Sequence, residues 1–230
     1  MTFIIDKQSI VPDLRKYNFS IVPFMEDGLY AVYAFNMSGG CIVKWFLKTL
    51  GREANYEQLN QEMPVTPTNL TVIPYFAGSG TPYMDSKTPA AIIGMRLKTT
   101  RGELFRAFLE GESYEMNVNI QSMYDAGIYP KKIIAVGGGT KSVKWMQIRA
   151  DVFGRKIYIT NIGEAGTLAS AILCFVKLGV YSSVQEAQKK YINIAQEYQP
   201  ISENVIQYKR SYQKYAKLYK LLKNSDISKE

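Results

Sequence analysis

The sequence contains no histidine in 230 residues. That absence excludes a Ser/His/Asp triad, a histidine-based zinc site, and an imidazole acid or base. The two cysteines, Cys41 and Cys174, lie far apart and fit neither a disulfide framework nor a metal knuckle. No pair of acidic residues has the spacing of a metal site. Any chemistry must therefore use carboxylates, lysines or a bound cofactor.

Long apolar runs are also missing. The uncharged stretch that most resembles a membrane segment, residues 165–176, is well short of the roughly 20 apolar residues that a spanning helix needs. The start, MTFIIDKQSI, lacks the basic region, apolar stretch and cleavage site of a secretory signal. We therefore expect a cytoplasmic protein with no membrane span, in a reducing compartment.

The composition that remains is that of an ordinary globular protein. Apolar residues make up 47% of the chain, enough for one sizeable core or two small ones. The net charge of +8 would suit binding to nucleic acid, but the charges are not spread evenly along the chain. Residues 200–230 alone hold seven Lys or Arg against three acidic residues, so half of the net charge lies in a short tail.

The tail has a regular pattern of large side chains. They recur at spacings of three and four residues, which predicts an amphipathic C-terminal helix over residues 200–224. Tyrosines between lysines also occur in proteins that bind single-stranded nucleic acid. The regular stripe favours the other interpretation, a helix docked on the domain with its hydroxyls near the rim and its lysines in solvent. The stripe consists of Val205, Tyr208, Tyr212, Tyr215, Tyr219 and Leu222.

The rest of the chain alternates predicted strands and helices, so the fold class is α/β. The alternation in the second half is typical of parallel strands joined by right-handed crossovers. Strands are predicted at residues 20–23, 29–35, 70–76, 91–97, 132–136 and 156–160. Helices are predicted from Ser38 to about Gly51 and at residues 101–124, 142–153 and 164–178.

Three glycines, Gly137, Gly138 and Gly139, separate a predicted strand from the helix that begins near Ser142. Consecutive glycines let the backbone approach an anion, and a helix start offers free N–H groups and a positive dipole end. The spacing matches neither a Walker loop nor the dinucleotide pattern. Two interpretations remain at this point: a phosphate site, or a tight turn that permits close helix packing.

Six segments in order resemble the C-terminal half of the FGGY carbohydrate kinases, which include xylulose, glycerol, ribulose and gluconate kinases. Among them are NMSGGCIVKWF (36–46), VIPYFAGSGTPYMD (72–85) and AVGGGTKSVKWMQIRADVFGRKI (135–157). The resemblance implies a ribonuclease H-like, actin-like ATPase lobe with a mixed sheet and flanking helices. Residues 1–230 would form a single second lobe, with ATP and its Mg²⁺ in the cleft between two lobes.

The resemblance also assigns a nucleotide site. It implies that the backbone of Gly138 lies near the phosphates and that Ser142 lies where the family contacts adenine. Gly40 either approaches the nucleotide or permits close packing of a helix start. Lys44 departs from the Gln that is usual at its position. The implied nucleotide-binding residues are Gly137, Gly138, Gly139, Ser142, Gly40 and Lys44.

Two further segments match the family, but structural roles are expected for them. Small residues at the start of the helix at 164–178, including Gly166, match a family helix beside the cleft, where tight packing is expected. Asp151 is expected to make a helix-to-loop hydrogen bond. In the loop before Asp85, Ser79 and Gly80 occupy the positions where the family has Glu and Arg. This difference weakens any inference that the loop keeps the function it has in the family.

The family's first-lobe features are absent from this sequence. These are a phosphate loop near the chain start, a sugar pocket, and an aspartate that accepts the proton of the sugar hydroxyl. The resemblance therefore implies no catalytic residue in this chain, but the ATP-binding lobe of a kinase that phosphorylates a sugar or polyol hydroxyl. A homodimer is considered as its assembly. The alternatives are a non-catalytic actin-like regulatory module and nucleic-acid binding through the tail.

We expect the purified chain alone to phosphorylate no sugar, because phosphoryl transfer needs an oriented nucleophile and a base as well as a nucleotide site. ADP release would be measured with Mg²⁺-ATP over a panel of pentoses, hexoses, polyols and sugar acids. Sugar-dependent ADP release by the purified chain would contradict this expectation.

Overall fold

The structure, a computed structural model, describes residues 1–51 and 54–225. Its helices are α1 Gly40–Thr49, α2 Tyr56–Glu62, α3 Arg101–Asp125, α4 Val143–Phe153, α5 Ala165–Lys177, α6 Val184–Tyr191 and α7 Ser202–Lys223. Its strands are β1 Thr2–Asp6, β2 Ser20–Pro23, β3 Leu29–Tyr33, β4 Thr71–Ile73, β5 Ala91–Ile93, β6 Ile133–Ala135, β7 Ile157–Thr160 and β8 Ile194–Tyr198. Within these ranges, no helix is both long enough and apolar enough to cross a membrane.

The strands form three small sheets. The first has the order β1-β3-β2 and is antiparallel throughout, which confirms the predicted hairpin of β2 and β3. The second is the antiparallel pair β4-β5. The third, β6-β7-β8, is mixed, because β6 and β7 run parallel as predicted while β8 is antiparallel to β7. Sheet and helix together make the predicted α/β class.

Helix α3 is the centre of the molecule. Thr100 and Glu103 form a capping box at its start, each side chain bonding to the other's backbone N–H. Apolar residues such as Phe105 and Phe108 are buried and pack against Phe46 of α1. The helix contacts α1, α2, α4, α7 and β4, so it is buried on nearly all sides. Its polar side chains therefore need partners inside the protein.

Helix α7 supplies two of those partners. The hydroxyl of Tyr208 donates to Glu110 at 2.8 Å, and the hydroxyl of Tyr215 donates to Glu115 at 2.6 Å. The predicted stripe is thus docked on the core, but the prediction that its hydroxyls lie near the rim is wrong for Tyr208 and Tyr215. Their hydroxyls point inward because α3 presents buried carboxylates to them, whereas the hydroxyl of Tyr219 bonds to the partly exposed Asp85. Asp226, Lys229 and Glu230 of the tail lie outside the described residues.

The basic residues of α7 behave as predicted for a docked helix. They face solvent, whereas Tyr208, Tyr215 and Tyr219 are buried. Few apolar atoms of the stripe are left to stack on bases. The exposed basic residues are Lys209, Arg210, Lys214, Lys217, Lys220 and Lys223.

The sequence pattern missed four elements and overextended others. It did not predict β1, α2, α6 or β8. The predicted strand at 91–97 ends at Ile93, because Gly94 turns the chain with φ +94° and Leu97 is fully exposed. The predicted strand at 70–76 is formed only over Thr71–Ile73.

Tight packing at the start of α5 was also expected, and it is not observed. A Cβ added at Gly166 would meet no atom within 4 Å of it. Ile172 is the only buried residue of α5, while Leu173 and Phe175 are exposed. The small residues of α5 therefore serve no close helix contact among the described residues.

Gly102 tests the opposite case, a helical glycine that the packing requires. A Cβ there would collide with the carbonyl oxygen of Glu62, so Gly102→Ala should lower the free energy of unfolding by about 1–3 kcal/mol. The matched control is Gly166→Ala, because Gly166 is likewise the second residue of its helix but faces open space. Chemical denaturation would measure both variants. Equal stability of the two variants would contradict the packing argument.

Candidate functional site

The glycine loop, defined as residues 137–139, begins where β6 ends. Gly137 has φ +88° and turns the chain out of the strand. A short 3-10 turn, Gly138–Lys141, follows and is closed by the Thr140 N–H, which donates to the Gly137 carbonyl at 3.1 Å. The N–H groups of Gly138 and Gly139 come before this first hydrogen bond, as at any helix start.

Glycine is required at Gly137 by its backbone conformation, but not at Gly138. Gly138 does not have a positive φ, and a Cβ added to it would meet nothing within 4 Å. Neither strain nor helix packing explains this glycine. A turn at this position would therefore accept a side chain at Gly138, and the space beside Gly138 is open.

Ser142 joins the loop to α4. It is the N-cap of the helix, and its Oγ accepts a hydrogen bond from the Trp145 N–H at 3.2 Å. The side chain is 5% exposed. Because the N–H uses one lone pair of Oγ, the hydroxyl hydrogen can still be donated to another acceptor. The predicted site residue thus has a structural role in addition to any contact with a ligand.

Gly40 begins α1, and Lys44 lies one turn further along it. A Cβ at Gly40 would meet nothing within 4 Å, so the alternative that Gly40 permits close packing is wrong. Lys44 is exposed. Within the described residues, no hydrogen bond, ion pair or ring contact joins either residue to the glycine loop. The structure brings Gly137, Gly138, Gly139 and Ser142 together, and leaves Gly40 and Lys44 on a separate element.

Asp151 has the structural role expected of it. The residue is 1% exposed. One carboxylate oxygen accepts from the Ile201 N–H at 2.8 Å, and the other accepts from the Asn204 side chain at 2.8 Å. It ties the end of α4 to the start of α7 and is not available to a ligand.

Sequence reasoning missed a polar cluster behind the glycine loop. The Arg149 guanidinium stacks on the Trp145 ring at 4.3 Å, and its Nη1 lies 3.8 Å from the position of a Cβ on Gly139. Glu112 of α3 faces Arg149 from the protein interior. The signal was a charged residue, Arg149, at an inward-facing position of α4 between the buried Ile148 and Ala150.

Burial changes the ionisation of this cluster. Burial raises the pKa of Glu112 to about 8, although Arg149 opposes the shift. It lowers the pKa of Arg149 to about 10, which still leaves the guanidinium charged at neutral pH. Since Glu112 is mostly protonated at pH 7, the positive charge of Arg149 is largely uncompensated behind the loop.

Comparisons with known proteins identify the family of the chain. Residues 3–178 match the model of the FGGY family of carbohydrate kinases, C-terminal domain. The chain is 27% identical over 197 residues to the xylulose kinase of Bacillus subtilis (strain 168), which covers 84% of this chain and 39% of that protein. It is 29% identical over 175 residues to the glycerol kinase of Clostridium beijerinckii, covering 74% of this chain and 35% of that protein.

The fold is also that of solved kinases. The xylulose kinase from Lactobacillus acidophilus superposes with a TM-score of 0.84 at 23% identity, over 97% of this chain and 45% of that one. This likeness confirms the expected ribonuclease H-like, actin-like lobe. The chain spans less than half the length of each of these relatives. It belongs to the FGGY family of carbohydrate kinases and corresponds to the C-terminal domain of that family.

Proposed function

We propose that this chain is the ATP-binding second lobe of a kinase that transfers the γ-phosphate of ATP to a sugar or polyol hydroxyl. Residues 1–230 form that single lobe, and the sugar pocket and catalytic base belong to a first lobe outside this sequence. The relatives' names, xylulose kinase and glycerol kinase, support a sugar or polyol as the substrate class.

The observation that carries the proposal is the open backbone at Gly138. The fold has room for a side chain there, as it also has at Gly163, so the open space supports a ligand only together with the position of Gly138 at the first residue of a helical turn after β6. The free N–H groups of Gly138 and Gly139 are hydrogen-bond donors at a helical turn that follows a strand. Phosphate oxygens are the acceptors that such positions bind.

We expect the other parts of phosphoryl transfer to come from the first lobe. Among the described residues, no group of three or more His, Cys, Asp or Glu is placed to hold a metal ion. Magnesium would therefore be bound mainly through the nucleotide phosphates, where it neutralises charge on the transferred group. Both Asp151 and Glu112 are buried in the lobe, so neither can accept a proton from a sugar.

Gly40 and Lys44 complete the proposed site from α1. Gly40 has open space above it, as Gly138 does, and the exposed Lys44 can carry its charge to a phosphate. We further propose a cytoplasmic location and assembly as a homodimer. Nucleic-acid binding gains no support, because the aromatic groups that would stack on bases are buried against α3.

Gly138→Val tests the nucleotide site. The variant should fold normally, because its side chain points into open space, yet it should bind ATP at least about tenfold more weakly, a loss of about 1.4 kcal/mol. Isothermal titration calorimetry with Mg²⁺-ATP would measure the affinity. Gly163→Val is the matched control for stability, measured by denaturation, since Gly163 is also an unstrained loop glycine facing open space. Equal ATP affinity in the wild type and Gly138→Val would refute the site.

Two substitutions separate the roles of Ser142. Ser142→Ala removes both the cap and the hydroxyl donor, so it should lower the free energy of unfolding by about 1 kcal/mol and weaken adenosine binding. Ser142→Asp keeps a capping oxygen but has no hydroxyl to donate, so stability should be retained while adenosine binds more weakly. Denaturation curves and adenosine titrations would measure the two effects. Unchanged adenosine affinity in both variants would exclude an adenine contact.

A further inference from the structure

Arg149 and Glu112 differ from an ordinary buried ion pair. Such a pair stabilises a protein only when its charges are in contact and their remaining hydrogen-bonding groups are satisfied. Here no ion-pair contact joins the two side chains in the described part of the chain. The buried Arg149 Nε and the buried Glu112 Oε1 both lack a hydrogen-bond partner among those residues. No contact between the two side chains satisfies either of these atoms.

Buried polar atoms around the pair lack hydrogen-bond partners, and their chemistry indicates which kind of ligand would bind them. The Nε1 of Trp145 and the Nε of Arg149 are both buried N–H donors without an acceptor in residues 1–51 and 54–225. Trp145 stacks on Arg149, whereas the Asn36 side chain is close enough to Glu112 to hydrogen-bond with it. Most of the unsatisfied groups at this point are donors, and one of them is positively charged. An acceptor with negative charge fits them best.

The position of Arg149 indicates where that acceptor binds. Its Nη1 lies 3.8 Å from the position of a Cβ on Gly139, so the guanidinium lies beside the glycine loop. At an effective dielectric constant near 20, a unit charge several ångströms from a bound phosphate contributes about 1–2 kcal/mol. The charge is therefore close enough to affect an anion on the glycine loop.

We propose that Arg149 is the positioning residue that gives the glycine loop its affinity for the polyphosphate of a nucleotide, and that Glu112 acts as a proton switch on that charge. This inference rests on the proposed function, because it concerns the same loop. When Glu112 is protonated, Arg149 is uncompensated and the loop favours a polyphosphate. When Glu112 ionises, it neutralises Arg149 and the polyphosphate is held less tightly.

Other charged and titratable groups near the pair do not replace the switch. Glu115, on the same helix, carries a pKa raised by burial to about 7 and is held by the hydroxyl of Tyr215. The tyrosine itself stays neutral, because burial raises its pKa well above 10. The amine of Met1 has its pKa lowered by burial and by Arg149. Because Glu115 also raises the pKa of Glu112, the comparison with Glu112→Gln is what assigns a change with pH to Glu112.

The test uses the full 230-residue chain with Mg²⁺-ATP, inorganic tripolyphosphate, and adenosine as a ligand without phosphate. Fluorescence of Trp145 in a Trp45→Phe background reports binding next to the loop. Arg149→Met keeps the length of the side chain and removes its charge, and Arg149→Lys restores the charge. At pH 7 we expect Arg149→Met to bind ATP and tripolyphosphate about tenfold more weakly, Arg149→Lys to recover most of that loss, and adenosine affinity to be unchanged.

The pH profile is the readout that a purely structural role would not change. Wild-type affinity for tripolyphosphate should fall as pH rises from 7 to 9, because Glu112 loses its proton over that range. Glu112→Gln cannot ionise, so its affinity should lack this fall while otherwise following the ligand's own titration. If Arg149→Met does not fold, the profiles of Arg149→Lys and Glu112→Gln still decide the question.

The outcomes distinguish this inference from the proposed function. Tripolyphosphate binding that depends on Arg149, without any binding of ATP or adenosine, would support the anion site and overturn the nucleotide assignment. ATP binding that is equal in wild type and Arg149→Met would overturn the inference and leave the nucleotide assignment standing. No binding of either polyphosphate at millimolar concentration, or the same fall with pH in Glu112→Gln, would also overturn the inference.

Discussion

A helix buried on nearly all sides can hold acidic side chains only if neighbouring groups bond to them or they stay protonated, and α3 has three buried carboxyl groups, Glu110, Glu112 and Glu115. Glu110 accepts from Arg106 of the same helix at 2.7 Å and from Tyr208 of α7. Glu115 accepts from Tyr215, one helical layer further along. Glu112 has no such donor on α7. The elements packed around α3 are therefore positioned by polar groups as much as by apolar area, and one carboxylate is left to face α4.

That remaining carboxylate links the core to the candidate site. Helix α4 packs on α3 and begins directly after the glycine loop, so a charge on its inner face is close to both. Arg149 occupies this position, between Glu112 on one side and Gly139 on the other. The same low-dielectric interior that raises the pKa of Glu112 keeps Arg149 from being compensated. The electrostatics of the loop thus depend on how the core is built.

Periodicity and glycine placement were sufficient to predict the long helices, the hairpin of β2 and β3, and the loop at Gly137, since each depends on local sequence. β8 was not predictable in this way, because it is formed by pairing with β7 and half of its pattern is polar. The site was only partly predictable for a similar reason. Gly138 and Ser142 lie in one short stretch of sequence, whereas Glu112 and Arg149 come near each other only when α3 and α4 pack. The inward direction of the α7 hydroxyls likewise depends on carboxylates that lie about a hundred residues earlier.

The docking of α7 has a consequence for synthesis on the ribosome. Tyr208 follows its partner Glu110 by 98 residues, and Tyr215 follows Glu115 by 100. At typical elongation rates of 5–20 residues per second, α3 is made about 5–20 s before these hydroxyls emerge. During that interval the carboxylates must remain hydrated, so α3 cannot settle into its final environment. The nascent lobe stays incomplete until α7 leaves the exit tunnel. A chain that terminates before α7 would expose the unpaired carboxyl groups of α3 to chaperones and proteases.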